Sequence, residues 1–396
     1  MTAPKRRYYF DFNATTPADP LVMERMVETL ARTYGNPSSV HAEGRAARAI
    51  VETARTHVAK FVTCAPSEIV FEGGASEANN HALCGVMRMF PIGSVFVTSS
   101  VEHPSLLGAA RSLAADGYRW LTVPVNGAGQ LDLNVYRDAL VERPVLVSVM
   151  TANNETGTVF PIAKLAELAH HDGSLFHTDA VQAAGRIPVS MDGLGVDLLS
   201  LSAHKIYGPK GCGALCVRTG VMLAPLVAGG HQERGRRAGT EAIMNIAGFG
   251  EACRQLTPEQ IGFESKKVAD LIATLWQGIH AAIPDAFRLG DPDSCLPNTL
   301  SVRFALCDAE SLLFNLDLAG VAASSGSACT SGSIEPSHVL LAMGFTENEA
   351  KEVVRFSVGR FSDMEDVEYL LTILPGLVRR TRALVNAPWY TLETKS

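Results

Sequence analysis

Seven short apolar runs, rich in β-branched residues, recur between residues 69 and 217, and segments of helical length separate most of them. This alternation constrains the fold most, because it is typical of an α/β domain with a mainly parallel sheet. The predicted strands are Ile69–Phe71, Val95–Thr98, Trp120–Val123, Val145–Val149, Ser174–Thr178, Leu198–Leu201 and Gly213–Val217. The helices predicted between them cover residues 77–90, 104–115, 132–142 and 161–171.

The pattern changes after residue 260 and predicts a second, smaller unit of α+β type. A long helical segment (261–283) precedes a strand-like run, Thr299–Phe304, and a loop of small residues (322–333) leads into a helix-rich tail. We therefore predict a large domain over residues 14–260. The small domain combines residues 1–13 with residues 261–396 and carries the small-residue loop.

Composition excludes several classes of function. The chain has 396 residues and a net charge of −7, so we expect no nucleic-acid partner. No apolar run approaches the length needed to span a membrane, so we expect no membrane span. The N-terminal residues do not contain the apolar stretch that a signal peptide has, so we expect no signal peptide. The eight cysteines include no C-x-x-C pair, which favours reduced thiols in a cytoplasmic protein.

Two polar residues follow apolar runs where ligands bind in parallel sheets. Lys205 comes after Leu198–Leu201 and before a turn rich in Gly and Pro. It is either a solvated surface lysine or a desolvated, nucleophilic amine that forms a Schiff base with pyridoxal phosphate (PLP). Asp179 follows Ser174–Thr178 and is either a helix cap or the carboxylate that keeps the PLP pyridine nitrogen protonated.

Three further strand ends carry candidate cofactor contacts, each with a structural alternative. The turn Gly73–Glu77 is either a phosphate-binding helix N-terminus or an ordinary helix start with Ser76 as its N-cap. His103 is either a buried structural residue or a ring that stacks on a planar cofactor and shuttles protons. Asn154 is either a turn residue or an amide that reaches the cofactor's phenolic oxygen.

Other candidates lie farther along the chain. Cys329 sits in the loop of small residues, which favours a reactive thiolate over a buried spectator. Arg355 lies between apolar residues and suits either capture of a carboxylate or a structural ion pair. The basic, Gly-rich loop 229–240 is either solvated or an anion-binding or interface loop, and Thr240 is predicted to cap the next helix. Cys212 and Cys216 are explained most simply by core packing.

The order of these motifs resembles that of the PLP-dependent cysteine desulfurases of the class V aminotransferase family, most closely the NifS type associated with nitrogen fixation. The resemblance covers about residues 8–385. It rests on Asn13-Ala14-Thr15-Thr16-Pro17, Gly35-Asn36-Pro37-Ser38-Ser39, Glu102-His103-Pro104, Ala152-Asn153-Asn154-Glu155-Thr156-Gly157, His177-Thr178-Asp179-Ala180-Val181-Gln182, Ala203-His204-Lys205-Ile206-Tyr207-Gly208-Pro209-Lys210-Gly211, Gly230-His231-Gln232-Glu233-Arg234-Gly235-Arg236-Arg237-Ala238-Gly239-Thr240 and Ser324-Ser325-Gly326-Ser327-Ala328-Cys329-Thr330-Ser331-Gly332.

The resemblance implies the type I fold of PLP-dependent transferases, with a seven-stranded sheet, and a role for each site residue. Lys205 would bind PLP covalently, Asp179 would pair with the pyridine nitrogen and His103 would stack on the ring. Arg355 would hold the substrate carboxylate, with Asn154. The remaining contacts would be Asn154 and Gln182 at the ring oxygen, and Ala75, Ser76, Ser202, His204 and the partner subunit's Thr240 at the phosphate. Ser76 and Ala203 depart from the family's usual Thr and Gly.

The implied reaction converts L-cysteine to L-alanine in a homodimer. Lys205 or His103 would remove the substrate's α-proton, and Cys329 would then take the sulfur as a persulfide. The sulfur would pass to an iron–sulfur scaffold or another acceptor protein, and the cluster that contacts Cys329 would make that residue a transient metal ligand. A nitrogenase-related role follows from the NifS type. One alternative is a selenocysteine lyase or another class V lyase. The other is a non-catalytic sulfur carrier or docking protein.

Overall fold

The computed structural model describes residues 6–325 and 336–385. Its strands are β1 (Tyr8–Tyr9), β2 (Ile69–Glu72), β3 (Val95–Ser99), β4 (Arg119–Val123), β5 (Leu146–Ser148), β6 (Leu175–Asp179), β7 (Leu198–Ser202), β8 (Gly213–Val217), β9 (Ala286–Arg288), β10 (Thr299–Phe304), β11 (Val321–Ala322) and β12 (Val353–Ser357). Its helices are α1 (Pro20–Arg32), α2 (Ala42–Val62), α3 (Ala75–Met87), α4 (Pro104–Ala115), α5 (Leu133–Val141), α6 (Ile162–His171), α7 (Met191–Leu194), α8 (Ile243–Gln255), α9 (Pro258–Ala282), α10 (Ala309–Leu318), α11 (His338–Ala342), α12 (Glu347–Ala350) and α13 (Met364–Val385).

The seven predicted strands form one sheet in the order β2-β8-β7-β6-β5-β3-β4. β8 runs antiparallel to β2 and β7, and the other neighbouring pairs are parallel. The prediction of a mainly parallel seven-stranded sheet is therefore confirmed. Both Cys212 and Cys216 are buried in the core against this sheet, so core packing accounts for them.

The strand order changes direction at β3. From there the chain crosses to β4 on one side, whereas β5, β6 and β7 follow one another on the other side. Ligands of open α/β sheets bind beyond the carboxyl ends of the strands at such a point. The residues that follow β3, β5, β6 and β7 are therefore brought to one edge of the sheet.

A second hydrophobic core lies around the antiparallel sheet β12-β10-β9 and helices α9, α10 and α13. It includes Phe10 near the N-terminus together with Leu275, Phe304, Phe356 and Leu374. This core supports the proposed small domain, whose limits stay a prediction. In the described residues, no helix is long and apolar enough to cross a membrane.

Particular contacts explain two further elements. Strand β1 ends at Tyr9, because the chain leaves β11 there and Asp11 bridges to Ser357 instead. Helix α8 begins three residues after Thr240, and it contains Gly248 and Gly250. A Cβ at Gly250 would lie 2.5 Å from the Cα of Ala54 in α2, so glycine permits this close helix packing.

Candidate active site

A cavity of about 650 Å³ lies at the carboxyl edge of the sheet and brings together most of the predicted site residues. Arg355 and Thr240 are not on its wall as the described residues define it, and Cys329 lies outside those residues. The predicted residues that line it are Ala75, Ser76, His103, Asn154, Asp179, Gln182, Ser202, His204 and Lys205.

The N-terminus of α3 forms one wall of the cavity. Gly74 is the N-cap, so the alternative with Ser76 as N-cap is wrong, and Ser76 lies in the first turn. Gly74 makes no side-chain cap and has a φ of 154°, which favours glycine. A Cβ at Gly213 would lie 2.8 Å from the carbonyl carbon of Gly74, so β8 approaches this turn closely. The amides of the first turn and the positive end of the helix dipole suit an anion.

Lys205 ends a single helical turn that follows β7, and its amine lies among backbone carbonyls. Its Nζ donates to the carbonyl of Ala14 at 2.9 Å and to that of Asn13. Both acceptors belong to the N-terminal segment, which crosses the cavity at this point. The alternative of a solvated surface lysine does not fit this placement.

Asp179 is the last residue of β6, next to β7, and only 6% exposed. Its Oδ1 accepts from the backbone N–H of Val181 at 3.0 Å, and its Oδ2 accepts from Nδ2 of Asn79 at 2.7 Å. These donors hold the carboxylate at the cavity wall, where it can bind a protonated ring nitrogen. The next helix after Asp179 is α7, which begins only at Met191, so the helix-cap alternative is wrong.

The two histidines on the cavity wall are held in a neutral state by their surroundings. Burial lowers the pKa of His103, and the charge of Lys205 acts in the same direction although Asp179 opposes it. Burial, together with Lys205 and Lys210, lowers the pKa of His204 to about 4. His204 contacts the hydroxyl of Thr15 through Nδ1 at 3.1 Å.

Two buried amide oxygens on the cavity wall have no hydrogen-bond partner among the described residues. They are Oε1 of Gln182 and Oδ1 of Asn79. Gln182 donates from Nε2 to the carbonyl of Asn13 at 3.0 Å, so its amide orientation is fixed. Unsatisfied buried polar atoms are costly, which makes these oxygens candidate ligand contacts.

Arg355 in β12 is 2% exposed and forms a structural ion pair beside the cavity. One Nη donates to the carbonyl of Asn154 at 2.7 Å, and the other donates to Asp11 at 2.7 Å. Its buried Nε has no partner in the described part of the chain. The guanidinium therefore has a donor remaining for a second carboxylate.

The loop 229–240 is anchored to the large domain at two places. Glu233 accepts two hydrogen bonds from the buried Arg55, at 2.7 and 2.8 Å, and Arg237 pairs with Glu77 at 2.8 Å. Thr240 does not cap the next helix, because α8 begins at Ile243 with Ala242 as its N-cap. Thr240 is instead exposed.

The chain on either side of the Cys329 loop is tied to residues near the cavity. Ser324 exchanges backbone hydrogen bonds with Arg355 at 2.6 and 3.2 Å. On the other side, Ser337 donates to the buried carboxylate of Glu155 at 2.5 Å, and Nε2 of His338 lies 3.0 Å from the carbonyl of Glu102.

The residues that sequence reasoning missed include Asn79 and Ser105. Asn79 lines the cavity, and Ser105 contacts both Asn79 and His103. Asn79 carried a signal, because it is a polar residue on the apolar face that Ala78, Ala82 and Leu83 define in α3. Ser105 carried none, since Ser is common in the first turn of a helix.

Nearly the whole chain is similar to known proteins, in sequence and in fold. The family model for class V aminotransferases matches residues 8–370. A protein from Cereibacter sphaeroides named cysteine desulfurase is 45% identical over 98% of this chain and 100% of its own length. A solved NifS-like protein is 35% identical with a TM-score of 0.89, covering 95% of this chain and 100% of that one. The structure titled "SspA in complex with cysteine" is 32% identical with a TM-score of 0.78, covering 90% of this chain and 100% of that one.

Proposed function

Because the chain belongs to the class V aminotransferase family, a family of PLP-dependent enzymes, we propose that it is a cysteine desulfurase that converts L-cysteine to L-alanine. The observation that carries this proposal is the convergence of Lys205, Asp179 and the uncapped N-terminus of α3 at one cavity. These residues supply an amine, a carboxylate and an anion site, which are the contacts that PLP needs.

The cavity offers a suitable side chain or backbone group for each functional group of PLP. The first turn of α3, with Ala75 and Ser76, would hold the phosphate together with Ser202 and His204. Lys205 would bind the cofactor covalently, and Asp179 would hold a proton on the pyridine nitrogen. Asn154 and Gln182 would bind the ring oxygen, and His103 would stack on the ring. When bound, PLP supplies an electron sink that stabilises negative charge on the substrate's α-carbon.

Arg355 would bind the carboxylate of L-cysteine. Its unpartnered Nε and its fixed plane, held by Asp11 and Asn154, support this role. A guanidinium offers five donors in a rigid fork, so it can bind a second carboxylate without releasing Asp11. Lys205 and His103, the two residues predicted to remove the substrate's α-proton, both lie on the cavity wall.

Cys329 would accept the sulfur. Its thiolate attacks the substrate sulfur, the C–S bond breaks, and a persulfide forms on Cys329 as alanine is released. L-Cysteine and the thiol thus become L-alanine and the persulfide, without an external oxidant or reductant. The persulfide would pass its sulfur to an acceptor protein for iron–sulfur cluster assembly, with nitrogenase as the related system, and a cluster bound in transit would make Cys329 a transient metal ligand. We place this reaction in the cytoplasm.

The proposal is tested by measuring alanine formed from L-cysteine. We expect the wild-type protein to absorb visible light, borohydride to shift that absorption, and Lys205→Ala to abolish both the absorption and alanine formation. Lys164→Ala, on the exposed side of α6, is the matched control and should behave as the wild type. A colourless wild-type protein that forms no alanine would refute the proposal and favour the non-catalytic alternative.

A further inference from the structure

A continuous chain of hydrogen bonds joins Asp179 to His103 beneath the cavity. Asn79, which is 1% exposed, lies within 2.7 Å of Asp179 Oδ2 and 3.1 Å of Ser105 Oγ through its Nδ2 atom. Ser105 Oγ in turn lies 2.8 Å from Nδ1 of His103. The residue proposed to pair with the pyridine nitrogen is therefore linked, through Asn79 and Ser105, to the residue proposed to stack on the ring.

The donor and acceptor of each bond in this chain can be assigned. The amide of Asn79 must point its NH₂ group at Asp179, because the reverse orientation would set an oxygen against a carboxylate oxygen. The same NH₂ group has a second hydrogen for Ser105, whose Oγ accepts it. Ser105 keeps its own hydroxyl hydrogen, which can donate to Nδ1 of His103.

A second donor faces the same nitrogen. His103 is the N-cap of α4, and its Nδ1 accepts from the backbone N–H of Ser105 at 3.2 Å. A backbone N–H can only donate, so Nδ1 must carry a lone pair. The ring is therefore neutral and carries its one proton on Nε2. Burial lowers the pKa of His103 and favours the same neutral form.

We propose that Asn79 and Ser105 are positioning residues that fix His103 as the neutral, Nε2-protonated tautomer, so that the ring acts as a hydrogen-bond donor and not as a base. The tautomer assignment rests on the structure alone, whereas the catalytic role of the donor rests on the proposed function. Protonation of His103 would have to occur at Nδ1, where it would displace two donors. Removal of the substrate's α-proton therefore falls to Lys205. A neutral imidazole that donates to a reacting group is an established catalytic device.

The tautomer can be measured in the holoenzyme labelled with ¹⁵N in its histidines, with the His103 signals assigned from their loss in His103→Gln. We expect a protonated Nε2 and an unprotonated Nδ1 at neutral pH. We also expect Ser105→Ala to shift the Nδ1 resonance and Ser105→Thr, which keeps the hydroxyl, to restore it. A proton on Nδ1, an imidazolium, or an Nδ1 resonance insensitive to Ser105→Ala would overturn the proposal.

Two substitutions of His103 itself separate a donor from a base. The amide of His103→Gln can donate a hydrogen bond but cannot take up a proton at neutral pH, whereas His103→Phe keeps a ring without a donor. We expect kcat to fall at most about tenfold in the Gln variant and roughly 10²–10³-fold in the Phe variant, the loss that follows removal of one positioned hydrogen-bond donor. Equal losses in both variants would show that the imidazole acts as a base.

These outcomes are distinct from failure of the proposed function. A wild-type protein with the expected tautomer and no activity on L-cysteine would refute the desulfurase assignment and leave the tautomer assignment intact. An active enzyme with a protonated Nδ1 would do the reverse. The unfolding midpoint of each variant shows whether a loss comes from misfolding.

Discussion

At the scale of single residues, the site depends on buried groups whose charge state burial changes. Glu102 precedes His103 and is fully buried. Its Oε1 accepts from the hydroxyl of Ser99 at 2.6 Å and from the N–H of Met150 at 2.9 Å, and its Oε2 has no partner among the described residues. Burial raises the pKa of Glu102 from 4.5 to about 8, and Asp179 contributes in the same direction. This carboxyl is therefore neutral in the folded protein at neutral pH.

Glu102→Gln should change how stability depends on pH. The folded-state pKa is raised, so the folded form binds a proton that the unfolded form releases between about pH 4.5 and about 8. Wild-type stability should fall across this window as pH rises, by about 1.4 kcal/mol per pH unit at most. The Gln variant lacks this loss, so its Tm relative to the wild type should rise with pH. A constant difference in Tm across the window would contradict the assignment.

At the scale of elements, the N-terminus of α3 carries an acidic residue beside its anion site. Glu77 lines the cavity and accepts from the N–H of Gly73 at 2.7 Å. Although burial opposes it, the hydrogen bond from Arg237 holds the pKa of Glu77 at about 2, so its carboxylate is ionised. Arg237 thus neutralises a charge that would otherwise repel a phosphate.

Arg237→Gln should weaken PLP binding, and the double variant with Glu77→Gln should recover it. Uncompensated like charges about 4 Å apart cost about 1 kcal/mol in water and about 4 kcal/mol near a protein surface, so we expect the Kd to rise roughly tenfold or more. Titration of the cofactor-free proteins measures this. Arg218→Gln, which removes an arginine paired with Asp192 away from the cavity, is the control. Equal losses in the single and double variants would show that Arg237 acts through the loop and not through charge.

A helix or strand was predictable from the sequence where its own residues carried a clear pattern, such as an apolar run between turn residues. Strand β8 begins and ends at the predicted residues, Gly213 and Val217, because turn residues flank its apolar run. The start of α8 at Ile243 was not predictable, because no side chain caps its N-terminus. In the site, Lys205 and Asp179 were found from strand ends. The contact of Asn79 with both Asp179 and Ser105 depends on tertiary distances that no local pattern contains.

At the scale of the whole molecule, Thr240 does not reach the cavity of its own chain. Thr240 is exposed and lies off the cavity wall of its own chain, while Arg55, Glu233 and Arg237 hold its loop at a defined place. This arrangement supports a homodimer in which the partner subunit's Thr240 contacts the phosphate.

Subunit mixing tests this arrangement. Thr240→Asp places a negative charge where the phosphate is expected, and Lys205→Ala removes the cofactor lysine. Neither homodimer should form alanine, but a heterodimer of the two chains should contain one intact site and recover up to about half of the wild-type activity. If Thr240 acts within its own chain, the heterodimer should stay inactive.

The most direct measurement is the mass of the Cys329 peptide after the purified protein is incubated with L-cysteine and no reductant. We expect one added sulfur atom on Cys329 and alanine in the solution. Cys329→Ser should lack the persulfide, whereas Ser substitutions at Cys64 and Cys295, the two described cysteines that are not buried, should leave it in place. Alanine formation without sulfur on Cys329, or a protein that yields neither, would contradict the proposed desulfurase mechanism.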